Sequence, residues 1–418
     1  MKVLHLNHSD INGGAARAAY RIHHALRAAG VDSSMSVNVA ASGDWTVQAP
    51  LPKWSHLLAP LRPQLISFLV NTLRTQNRIL HSPAILPSKR LKEINACDAD
   101  LVHLHWIAGE MLSIADIGRI KKPLLWTLHD MWAFCGAEHY AFDDRWRQGY
   151  RRDNRPAHES GFDLNRWTWR RKLKHWRRPL HIATPSRWLA DCVRQSALMR
   201  DWPVSVAPNC IDTERWRPME QSTARQLFGL PQAAPLLLFS AAGGVAAHHK
   251  GFDLLVAALA RLGQEIPQLQ LVISGQHPAR QPPDLGLPIH YVGSLHDDLS
   301  LCALYNAVDV VATPSRLDNF PNVAVEAHAC GAPVVAFAVC GLLDIVEHQG
   351  SGYLAKPFDV DDLAAGIKWT LNLPATGGGE TTRQSLRLTA RNRALQLFAN
   401  DVVAARYKAL YEQVLQDQ

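Results

Sequence analysis

The sequence predicts an α/β fold built from two doubly wound domains. Its 418 residues exceed what a single hydrophobic core usually organises, so two domains are expected. Short apolar runs such as 101–106 and 334–338 are typical of buried parallel strands. These runs alternate with segments of helical pattern, and several of them end in polar residues. Parallel sheets of this kind bind ligands at the carboxyl ends of their strands.

The composition is that of a globular chain, since 47% of the residues are hydrophobic and 19% are charged. The first residues, MKVLHLNHSD, lack the basic start and long apolar run of a signal peptide. No uncharged apolar run reaches the roughly 20 residues that span a bilayer. We therefore expect a cytoplasmic protein that touches a membrane only from its surface.

The cysteines and the net charge narrow the class of partner. Seven cysteines are scattered without a Cys-x-x-Cys pair, which argues against a zinc knuckle or a disulfide framework and favours reduced thiols. The formal net charge of +7 and a pI near 9.1 suit an anionic partner. A nucleotide sugar, an acidic lipid and a nucleic acid all meet that description.

A double glycine separates the first strand from the first helix. Residues 2–7 are predicted to form a strand, Gly13 and Gly14 a turn, and residues 15–29 a helix that Gly30 ends. The G-x-G-x-x-G spacing of dinucleotide-binding folds is absent. The glycines instead favour a close approach of backbone and ligand at the carboxyl end of the strand.

Residues 50–95 contain amphipathic pieces separated by prolines. One predicted helix in this region carries a broad apolar stripe. The stripe comprises Leu65, Ile66, Phe68, Leu69 and Leu73. We expect it to pack into the core, and contact with a membrane is the alternative.

Two further predicted strands, 101–106 and 124–128, end in polar residues. His129 follows the second of them, where it can contact a sugar hydroxyl or an acceptor. His103 and His105 alternate along the first strand and therefore share one face. No carboxylate stands at a spacing that would complete a metal site with them, so we predict none.

A basic segment rich in tryptophan follows. Between Arg145 and Arg178 the chain carries twelve Lys or Arg residues and four tryptophans against three acids. The run NRWTWRRKLKHWRR predicts a helix with Trp169, Leu173 and Trp176 on one side. Aromatic anchors ringed by cations are typical of a surface that docks on anionic lipid. We favour that interpretation over a solvated basic face or a nucleic-acid patch.

The second domain is predicted to begin with a strand at 236–240 and a loop of small residues at 241–247. Lys250 stands at the entrance of a predicted helix, 252–262. A lysine in that position can neutralise a diphosphate as a point charge. A solvated surface lysine is the alternative.

The most informative stretch is 313–331, TPSRLDNFPNVAVEAHACG. It predicts a strand end, a polar loop and a helix with Pro321 in its first turn. Asp318 then lies at the positive end of the helix, and Glu326 lies about a turn and a half inside it. Backbone N–H groups near 319–323 offer an anion site. This arrangement suits a diphosphate flanked by two hydroxyl-bearing rings, although an ordinary strand–loop–helix unit with solvated acids fits the spacing equally.

Asp318 and Glu326, separated by seven residues and followed by AHACGAPVV, resemble the acid-x7-Glu signature of the family 4 retaining glycosyltransferases. The segments TLHDMW around His129, TPSRWLA at 184–190 and KGFDLL at Lys250 are similar to segments of the same family. The DNFPN form of the signature resembles a subgroup found in exopolysaccharide clusters, such as those for colanic acid.

The chain also departs from these relatives at three places. One is Cys210, where the family usually has a glycine. Most of the family has an arginine where this chain has Val245, and His248 and His249 are the candidates to replace it in part. The colanic-type subgroup often carries several cysteines in the basic insertion, and only Cys135 stands near it here. A metal or structural role of that cysteine cluster is therefore not carried over.

The resemblance implies the GT-B fold with an interdomain cleft. It implies an N-terminal acceptor-side domain at 1–205, a C-terminal nucleotide-sugar-binding domain at 206–388 and one C-terminal helix at 389–418 that crosses back to the first domain. It also implies a hexosyltransferase-type reaction in which a sugar moves from a nucleotide diphosphate to an acceptor with retention at the anomeric carbon. Neither a metal nor a cofactor is expected.

The same resemblance implies a role for each site residue. Lys250, Asp318 and His129 are the expected catalytic residues. Glu326 is expected to hold the ribose hydroxyls, Asp318 the donor sugar and Lys250 the departing diphosphate. The donor site is expected to comprise Lys250, Asp318, Asn319, Phe320, Pro321, Asn322, Val323 and Glu326.

The acceptor side is expected to include Gly13 and Gly14. The expected partners are a nucleotide sugar and a polyprenyl-diphosphate-linked saccharide, at the cytoplasmic face of an anionic inner membrane and without nucleic acid. Two alternatives belong to other classes. One is a different GT-B enzyme, such as a nucleotide-sugar 2-epimerase or a phosphorylase, and the other is a noncatalytic protein that binds lipid or nucleic acid.

Overall fold

Two parallel sheets, of seven and six strands, organise the computed structural model of this chain. The structure describes residues 1–49, 61–240, 245, 247–263, 265–278, 284–374 and 381–417. Contacts divide the chain into unit 1, which comprises Met1–Pro208 with Ala404–Gln418, and unit 2, which comprises Asn209–Val403. The predicted α/β class with two doubly wound sheets is confirmed. Positions 50–60, and 241–244 and 246 of the predicted small-residue loop, lie outside the described residues.

The strands of unit 1 are short, and most are buried. They are β1 Lys2–Ser9, β2 Asp32–Val39, β3 Val47–Gln48, β5 Leu101–Leu104, β6 Leu124–Thr127, β8 His181–Thr184 and β9 Val204–Val206, with a separate antiparallel pair of β4 Leu73–Arg74 and β7 Ser160–Gly161. The order in the sheet is β3-β2-β1-β5-β6-β8-β9. On one side of the β1–β5 pair the sheet continues with β2 and β3, and on the other side it continues with β6, β8 and β9. The carboxyl ends of β1 and β5 therefore flank the crevice where such sheets bind ligands.

The helices of unit 1 cover this sheet. They are α1 Gly14–Ala28, α2 Leu61–Asn71, α3 Arg90–Ala96, α4 Ile114–Ile117, α5 Arg145–Gln148, α6 Leu164–His175 and α7 Arg187–Gln195. Local capping explains several of their starts. The side chain of Ser186 accepts a hydrogen bond from Leu189 N at the start of α7, and Ser113 and Asp116 form a capping box at α4.

Unit 2 repeats the same design. Its strands are β10 Leu236–Ser240, β11 Gln270–Ser274, β12 Ile289–Tyr291, β13 Val310–Thr313, β14 Val334–Phe337 and β15 Gly352–Ala355, in the order β12-β11-β10-β13-β14-β15. Its helices are α8 Gln221–Leu227, α9 Phe252–Leu262, α10 Asp298–Ala307, α11 Asn322–Ala329, α12 Leu342–Ile345, α13 Val360–Asn372 and α14 Arg383–Arg393. The strand order reverses between β10 and β13, so the loops that follow these two strands flank the ligand crevice.

The prediction of one long final helix is wrong. After α14 the chain forms a π-helical segment, Ala394–Phe398, and then α15, Asn400–Gln416. The break has a local cause, because Phe398 O accepts a hydrogen bond from Ile211 N and Ala399 adopts an extended backbone. The return to unit 1 begins at Ala404, whereas the predicted boundaries were 205/206 and 388/389. Arg391 explains the later position, because its guanidinium donates to Trp216 O and Ala329 O and fixes α14 within unit 2.

The prediction of one buried stripe over residues 65–73 is also wrong. Helix α2 ends at Asn71, and Leu73 already belongs to strand β4. Ile66 is buried, but the side chain of Phe68 is 81% exposed. The apolar positions therefore divide between the core and the surface.

The tryptophans of the basic segment do not form exposed anchors, so that part of the membrane prediction is wrong. Trp176 is buried and donates from Nε1 to Ile114 O at 2.8 Å. The ring of Trp169 packs on Tyr150. Leu173, by contrast, is 53% exposed. Among the described residues, no helix combines the length and the apolarity that crossing a bilayer requires.

Candidate active site

The strand reversal in unit 2 brings Lys250 and Asp318 together. Lys250 lies in the loop after β10 and Asp318 in the loop after β13. The Nζ atom of Lys250 donates to Oδ2 of Asp318 at 2.5 Å, with both side chains largely shielded from solvent. Both residues line one small cavity together with Ser240, Thr313, Pro321 and Val323. The two predicted catalytic residues of unit 2 are thus direct neighbours.

Gly251 fixes the position of the loop that carries Lys250. Its φ angle of +71° favours glycine, and a Cβ atom placed there would lie 2.0 Å from Pro314 O. Arg316 strengthens the same contact, because its two terminal nitrogens donate to the Asp253 carboxylate at 2.7 and 2.6 Å. The amide N–H of Arg316 also donates to His249 O at 2.8 Å. Backbone approach and a bidentate ion pair therefore hold the loops of Lys250 and Asp318 against each other.

A second glycine supports Asp318 from the other side. A Cβ atom at Gly341 would lie 1.7 Å from Asn319 O, and the amide of Gly341 donates to Asp318 O at 3.3 Å. Cys340, just before it, has a φ angle of +51°, which is unusual for a residue other than glycine. The strained turn at 340–341 is therefore part of the wall behind Asp318.

Helix α11 begins one residue later than predicted. Pro321 is its N-cap and contributes no side-chain hydrogen bond, so the helix proper starts at Asn322. The Oδ1 atom of Asn322 accepts a hydrogen bond from Nδ2 of Asn209 at 3.1 Å. Asn319 is buried, and Phe320 packs edge-on against Phe398. The positive end of the α11 dipole is thus directed towards the loop of Asp318.

Glu326 is buried on α11. Its Oε2 atom accepts a hydrogen bond from the hydroxyl of Tyr305 on α10 at 3.0 Å. Burial raises the pKa of Tyr305 well above its ordinary value, and the neighbouring Glu326 carboxylate raises it further. The tyrosine therefore stays protonated and remains a donor to the carboxylate. Tyr305 and Asn209 are contacts of the site that sequence reasoning missed, because no local pattern links them to α11.

Near Lys250, Val245 stands where most of the family has an arginine. The amide of Val245 donates to Oε1 of Gln276 at 3.0 Å. Burial lowers the pKa of His249, and the neighbouring Lys250 lowers it further. His249 is therefore a poor source of positive charge at neutral pH. The proposal that a histidine replaces the missing arginine remains a prediction.

In unit 1, His129 lies at the end of a chain of buried imidazoles. His5 on β1 is in register with His103 on β5. The Nδ1 atom of His5 lies 2.9 Å from Nε2 of His105, and Nδ1 of His105 lies 3.2 Å from Nε2 of His129. Burial lowers the pKa of His5 and His105 well below the ordinary value and that of His129 to about 4. All three rings are therefore neutral at pH 7.

His103 lies beside this chain and has partners of its own. Its Nε2 atom is 2.7 Å from Oγ1 of Thr127, and its Nδ1 atom is 2.7 Å from the hydroxyl of Tyr411 on α15. Among the described residues, nitrogens of His5, His103 and His105 come within 4.8 Å of one another. Hydrogen bonds already engage one nitrogen of His5 and both nitrogens of His103 and His105. No local pattern along the chain links His5 to this group.

The residue after His129 anchors its loop. Oδ2 of Asp130 lies 2.6 Å from Nδ1 of His139 and accepts from Nε1 of Trp106 at 2.9 Å. Burial opposes ionisation of Asp130, but His139 and these hydrogen bonds outweigh it and lower the pKa. Nε2 of His139 in turn lies 2.9 Å from Oγ of Ser82. Asp130 is therefore a fixed carboxylate that orients the loop.

A buried lysine binds the carboxyl-terminal part of this loop. The ammonium of Lys172, on α6, donates to the carbonyl oxygens of Trp132, Cys135 and Gly136, the last at 2.7 Å. It also lies 4.0 Å from the centre of the Trp132 ring. Burial lowers the pKa of Lys172 to about 7. The sequence predicted Lys172 to be one of the surface cations of the basic segment, and that expectation is wrong.

The double glycine lies where it was predicted, between β1 and α1. Gly13 is the N-cap of α1 with a φ angle of +99°, and Gly14 is the first helical residue. A Cβ atom at Gly13 would meet no atom within 4 Å among the described residues. Open space above a glycine turn is compatible with close approach of a ligand. The acceptor role of the two glycines remains a prediction.

Each half of the chain matches the model of a known protein family. Residues 12–215 match the model described as Glycosyltransferase Family 4, and residues 222–393 match the model described as Glycosyl transferases group 1. Only the ends of the chain and a short connection lie outside the two matches. The first match includes His129, and the second includes Lys250, Asp318 and Glu326.

Curated relatives are similar over part of their length. One, 36% identical over 182 residues, is a D-inositol 3-phosphate glycosyltransferase of Geodermatophilus obscurus, and the match covers 40% of each chain. Another, 33% identical over 182 residues, is a 2-deoxystreptamine glucosyltransferase of Streptomyces kanamyceticus, with 41% of this chain and 46% of the relative covered. The matched part thus spans less than half the length of these relatives.

Solved structures are similar over the whole chain. The sucrose-phosphate synthase of Thermosynechococcus elongatus gives a TM-score of 0.67 at 20% identity, with 100% of both chains covered. HepE of Anabaena, in complex with UDP and glucose, gives 0.65 at 19% identity, with 99% of both chains covered. WaaG, an enzyme of lipopolysaccharide biosynthesis, gives 0.59 at 18% identity, with 97% of this chain and 98% of that chain covered. At these identities the likeness establishes the fold.

Proposed function

The chain belongs to glycosyltransferase family 4 and has the GT-B fold, and from this we propose that it transfers a hexose from a nucleotide-diphosphate donor to a saccharide acceptor. The observation that carries the proposal is the Lys250–Asp318 pair, 2.5 Å apart at the strand reversal of unit 2. A cation and a carboxylate at such a crevice match the two parts of the donor. One part is a diphosphate and the other is a sugar with hydroxyl groups.

Unit 2 supplies the leaving-group chemistry in this proposal. The ammonium of Lys250 turns from Asp318 to the diphosphate when the donor binds, and the positive end of α11 faces the same group. Asp318 then accepts hydrogen bonds from the sugar hydroxyls. Glu326, held by the Tyr305 hydroxyl, accepts those of the ribose. Because Lys250 provides the compensating charge, the reaction is proposed to need no metal.

Unit 1 supplies the acceptor side and His129. Burial keeps His129 neutral, so it can form a hydrogen bond with a sugar hydroxyl through Nδ1, the nitrogen that does not contact His105. In this state it adds no positive charge to the site. The proposed stereochemical outcome is retention, through a short-lived oxocarbenium pair on one face of the sugar. The cleft expected between the two domains remains a prediction.

The proposed acceptor is a saccharide on a polyprenyl diphosphate, in the synthesis of an exopolysaccharide at the cytoplasmic face of the inner membrane. Exposed cations of the basic segment, such as Arg152 and Arg170, support contact with anionic lipid. The buried Trp176 does not contribute to such contact. The surface interaction proposed here is therefore electrostatic and decreases as salt is added.

A donor screen tests the proposed function. We expect one class among UDP-, GDP- and ADP-sugars to raise the melting temperature, and the same class to support transfer to a lipid-linked acceptor. Since the HepE structure contains UDP, UDP-glucose is the first donor to try. Consumption of the donor without any acceptor would favour an epimerase instead. Equal binding of RNA and nucleotide sugar, with no transfer, would favour a noncatalytic binding protein.

A further inference from the structure

Unit 1 contains a second cavity, of about 760 Å³, that no step of the proposed reaction uses. It lies between the segment after α4 and the segment after α6. Five cationic side chains line it: Lys121, Lys122, Lys174, Arg177 and Arg178.

The cavity lies at the amino ends of the strands of this sheet, whereas His129 lies at a carboxyl end. Lys122 and Leu124 line it at the amino end of β6, and Leu180 and His181 line it at the amino end of β8. His129 follows the carboxyl end of β6. The cavity and the candidate active site of unit 1 therefore lie at opposite ends of β6, and the length of this strand separates them.

The charge around this cavity is poorly compensated. Of the described residues that line it, Asp417 is the single acid. In the part of the chain that the structure describes, Lys121, Lys174 and Arg178 form no ion pair. Burial lowers the pKa of His175, and the nearby Lys174 and further arginines lower it more. This shift is a second sign of a positive potential in the cavity.

Helix electrostatics explain only part of this charge. Cations in the last turn of a helix complement its dipole, which accounts for Lys174 at the end of α6. Lys121 and Lys122 come from a different segment, which lies after α4. Lys122 donates to Ala99 O at 3.0 Å. Two separate segments thus direct cations into one concavity, a pattern that a single solvated helix face does not produce.

The floor of the cavity, meaning its less exposed lining, is mostly apolar, and His181 is a buried polar side chain in it. The floor includes Ile120, Leu124, Trp176, Leu180 and Val414, whereas Lys121, Lys174, Arg177 and Arg178 are exposed. A cationic rim over an apolar floor matches a ligand that carries adjacent negative charges beside a hydrocarbon or flat ring. Simple inorganic anions would leave this floor without a partner.

We propose that this cavity binds a phosphorylated amphiphile, a ligand with at least two phosphate charges or a phosphodiester beside an apolar group. The headgroup region of an anionic phospholipid and a soluble apolar diphosphate share this chemistry. The site goes beyond the proposed transfer reaction, because none of its residues belongs to the donor or acceptor groups described above. Loss of binding here and loss of transfer are therefore separate outcomes.

Residue-resolved acetylation of the full-length protein tests the proposal. The probes are geranyl diphosphate and vesicles of phosphatidylcholine with and without phosphatidylglycerol. We expect at least one anionic probe to slow acetylation of Lys121 and Lys174 fivefold or more, as measured by peptide mass spectrometry. Lys368, an exposed lysine of unit 2, is the internal reference. Equal slowing at Lys368, or no slowing with any probe, overturns the proposal.

A charge-matched pair of variants completes the test. Lys174→Gln with Arg178→Gln removes two cations of the rim, and we expect the affinity for the effective probe to fall at least tenfold. Lys92→Gln with Arg200→Gln removes two exposed cations of unit 1 that neither line the cavity nor belong to the basic segment. If both double variants lose affinity equally, binding reflects net charge and the cavity site is rejected. Vesicle binding that geranyl diphosphate displaces indicates one shared site, and binding of one probe alone identifies the source.

Discussion

The Nδ1 atom of His105 lies 3.2 Å from the Nε2 atom of His129, and this contact links the proposed reaction centre of unit 1 to the buried histidines beneath it. Each neutral imidazole has one N–H to donate. If His5 donates to His105, then His105 donates to His129, and the proton of His129 is on Nδ1. The opposite direction places an N–H on Nε2 of His5, which is buried without a partner among the described residues. Such an N–H is costly, so we expect the first arrangement.

We therefore predict that His105→Ala changes the tautomer of His129. ¹⁵N NMR of the wild type should show His129 protonated at Nδ1, and the variant should show a mixture of tautomers. The turnover number should fall about tenfold, as for other residues that orient a catalytic side chain, with little change in the donor KM. His181→Ala removes a buried histidine at the opposite edge of the sheet and should leave the tautomer of His129 unchanged.

Acid should destabilise the protein well before its carboxylates titrate. The pKa of His23 is lowered to about 3 and that of His129 to about 4, in both cases mainly by burial. Between these values and the ordinary 6.5 the unfolded chain binds more protons than the folded one. Stability is therefore complete above pH 6.5 and falls as the pH is lowered through this window.

Each such histidine should contribute a slope of up to about 1.4 kcal/mol per pH unit. Urea unfolding between pH 7 and pH 5, followed by tryptophan fluorescence, measures this slope. His23→Gln removes one titrating group, so the slope should decrease by about that amount. An unchanged slope in the variant would show that His23 does not contribute.

Lys172→Met should be among the most destabilising single changes in unit 1. The substitution keeps much of the side-chain volume but leaves three carbonyl oxygens without their donor. A buried acceptor left without its donor costs about 1–3 kcal/mol, so the loss of the three contacts should cost about 3 kcal/mol or more. Lys174→Met, two residues further along the same helix, changes an exposed lysine and should cost less than about 0.5 kcal/mol. Urea unfolding of both variants at pH 7 checks the difference.

Lys250→Ala and Glu326→Ala should abolish measurable transfer while the fold stays intact. The loss of a preorganised charge at the leaving group costs about 100-fold or more in turnover. A matched control exists in the same unit, because Lys368 forms a 2.5 Å ion pair with Glu265 at the surface. Lys368→Ala should retain wild-type turnover. Full activity in Lys250→Ala would remove the basis of the proposed function.

Gly251→Ala should impair transfer because it changes the position of Lys250. The new Cβ atom would lie 2.0 Å from Pro314 O, so the two loops must separate. A displacement of about 1 Å near a reaction centre can cost about 100-fold in rate. Gly229 also has a positive φ angle, of +62°, but it has open space around it. Gly229→Ala therefore tests backbone strain alone, and its turnover should be close to that of the wild type.

The sequence predicted the parts of the site that depend on order along the chain. Lys250 and Asp318 follow strands of apolar pattern, and a parallel sheet brings the ends of its strands to one edge. It did not predict the partners that tertiary packing selects. Tyr305 contacts Glu326 from another helix, and His5 reaches His129 through His105.

The wrong predictions for Trp176 and Lys172 also arise from tertiary packing. Trp176 and Lys172 stand in a basic run whose pattern predicts a surface, yet both are buried. Their burial depends on the loop at 132–136, which presents its carbonyl oxygens to the lysine. Helical periodicity records which residues share a side of the helix, but it does not identify the neighbour that covers that side. Such burial becomes visible only when the folded neighbours are known.

The hydroxyl of Tyr411 on α15 holds Nδ1 of His103 at 2.7 Å, although the two residues are far apart along the chain. During translation, β1, β5 and the whole of unit 2 leave the ribosome before Tyr411 does. The histidine layer beneath the crevice therefore receives this partner only after the whole of unit 2 has been synthesised. A chain whose synthesis stops within unit 2 would lack Tyr411 and would leave Nδ1 of His103 without this hydrogen-bond partner.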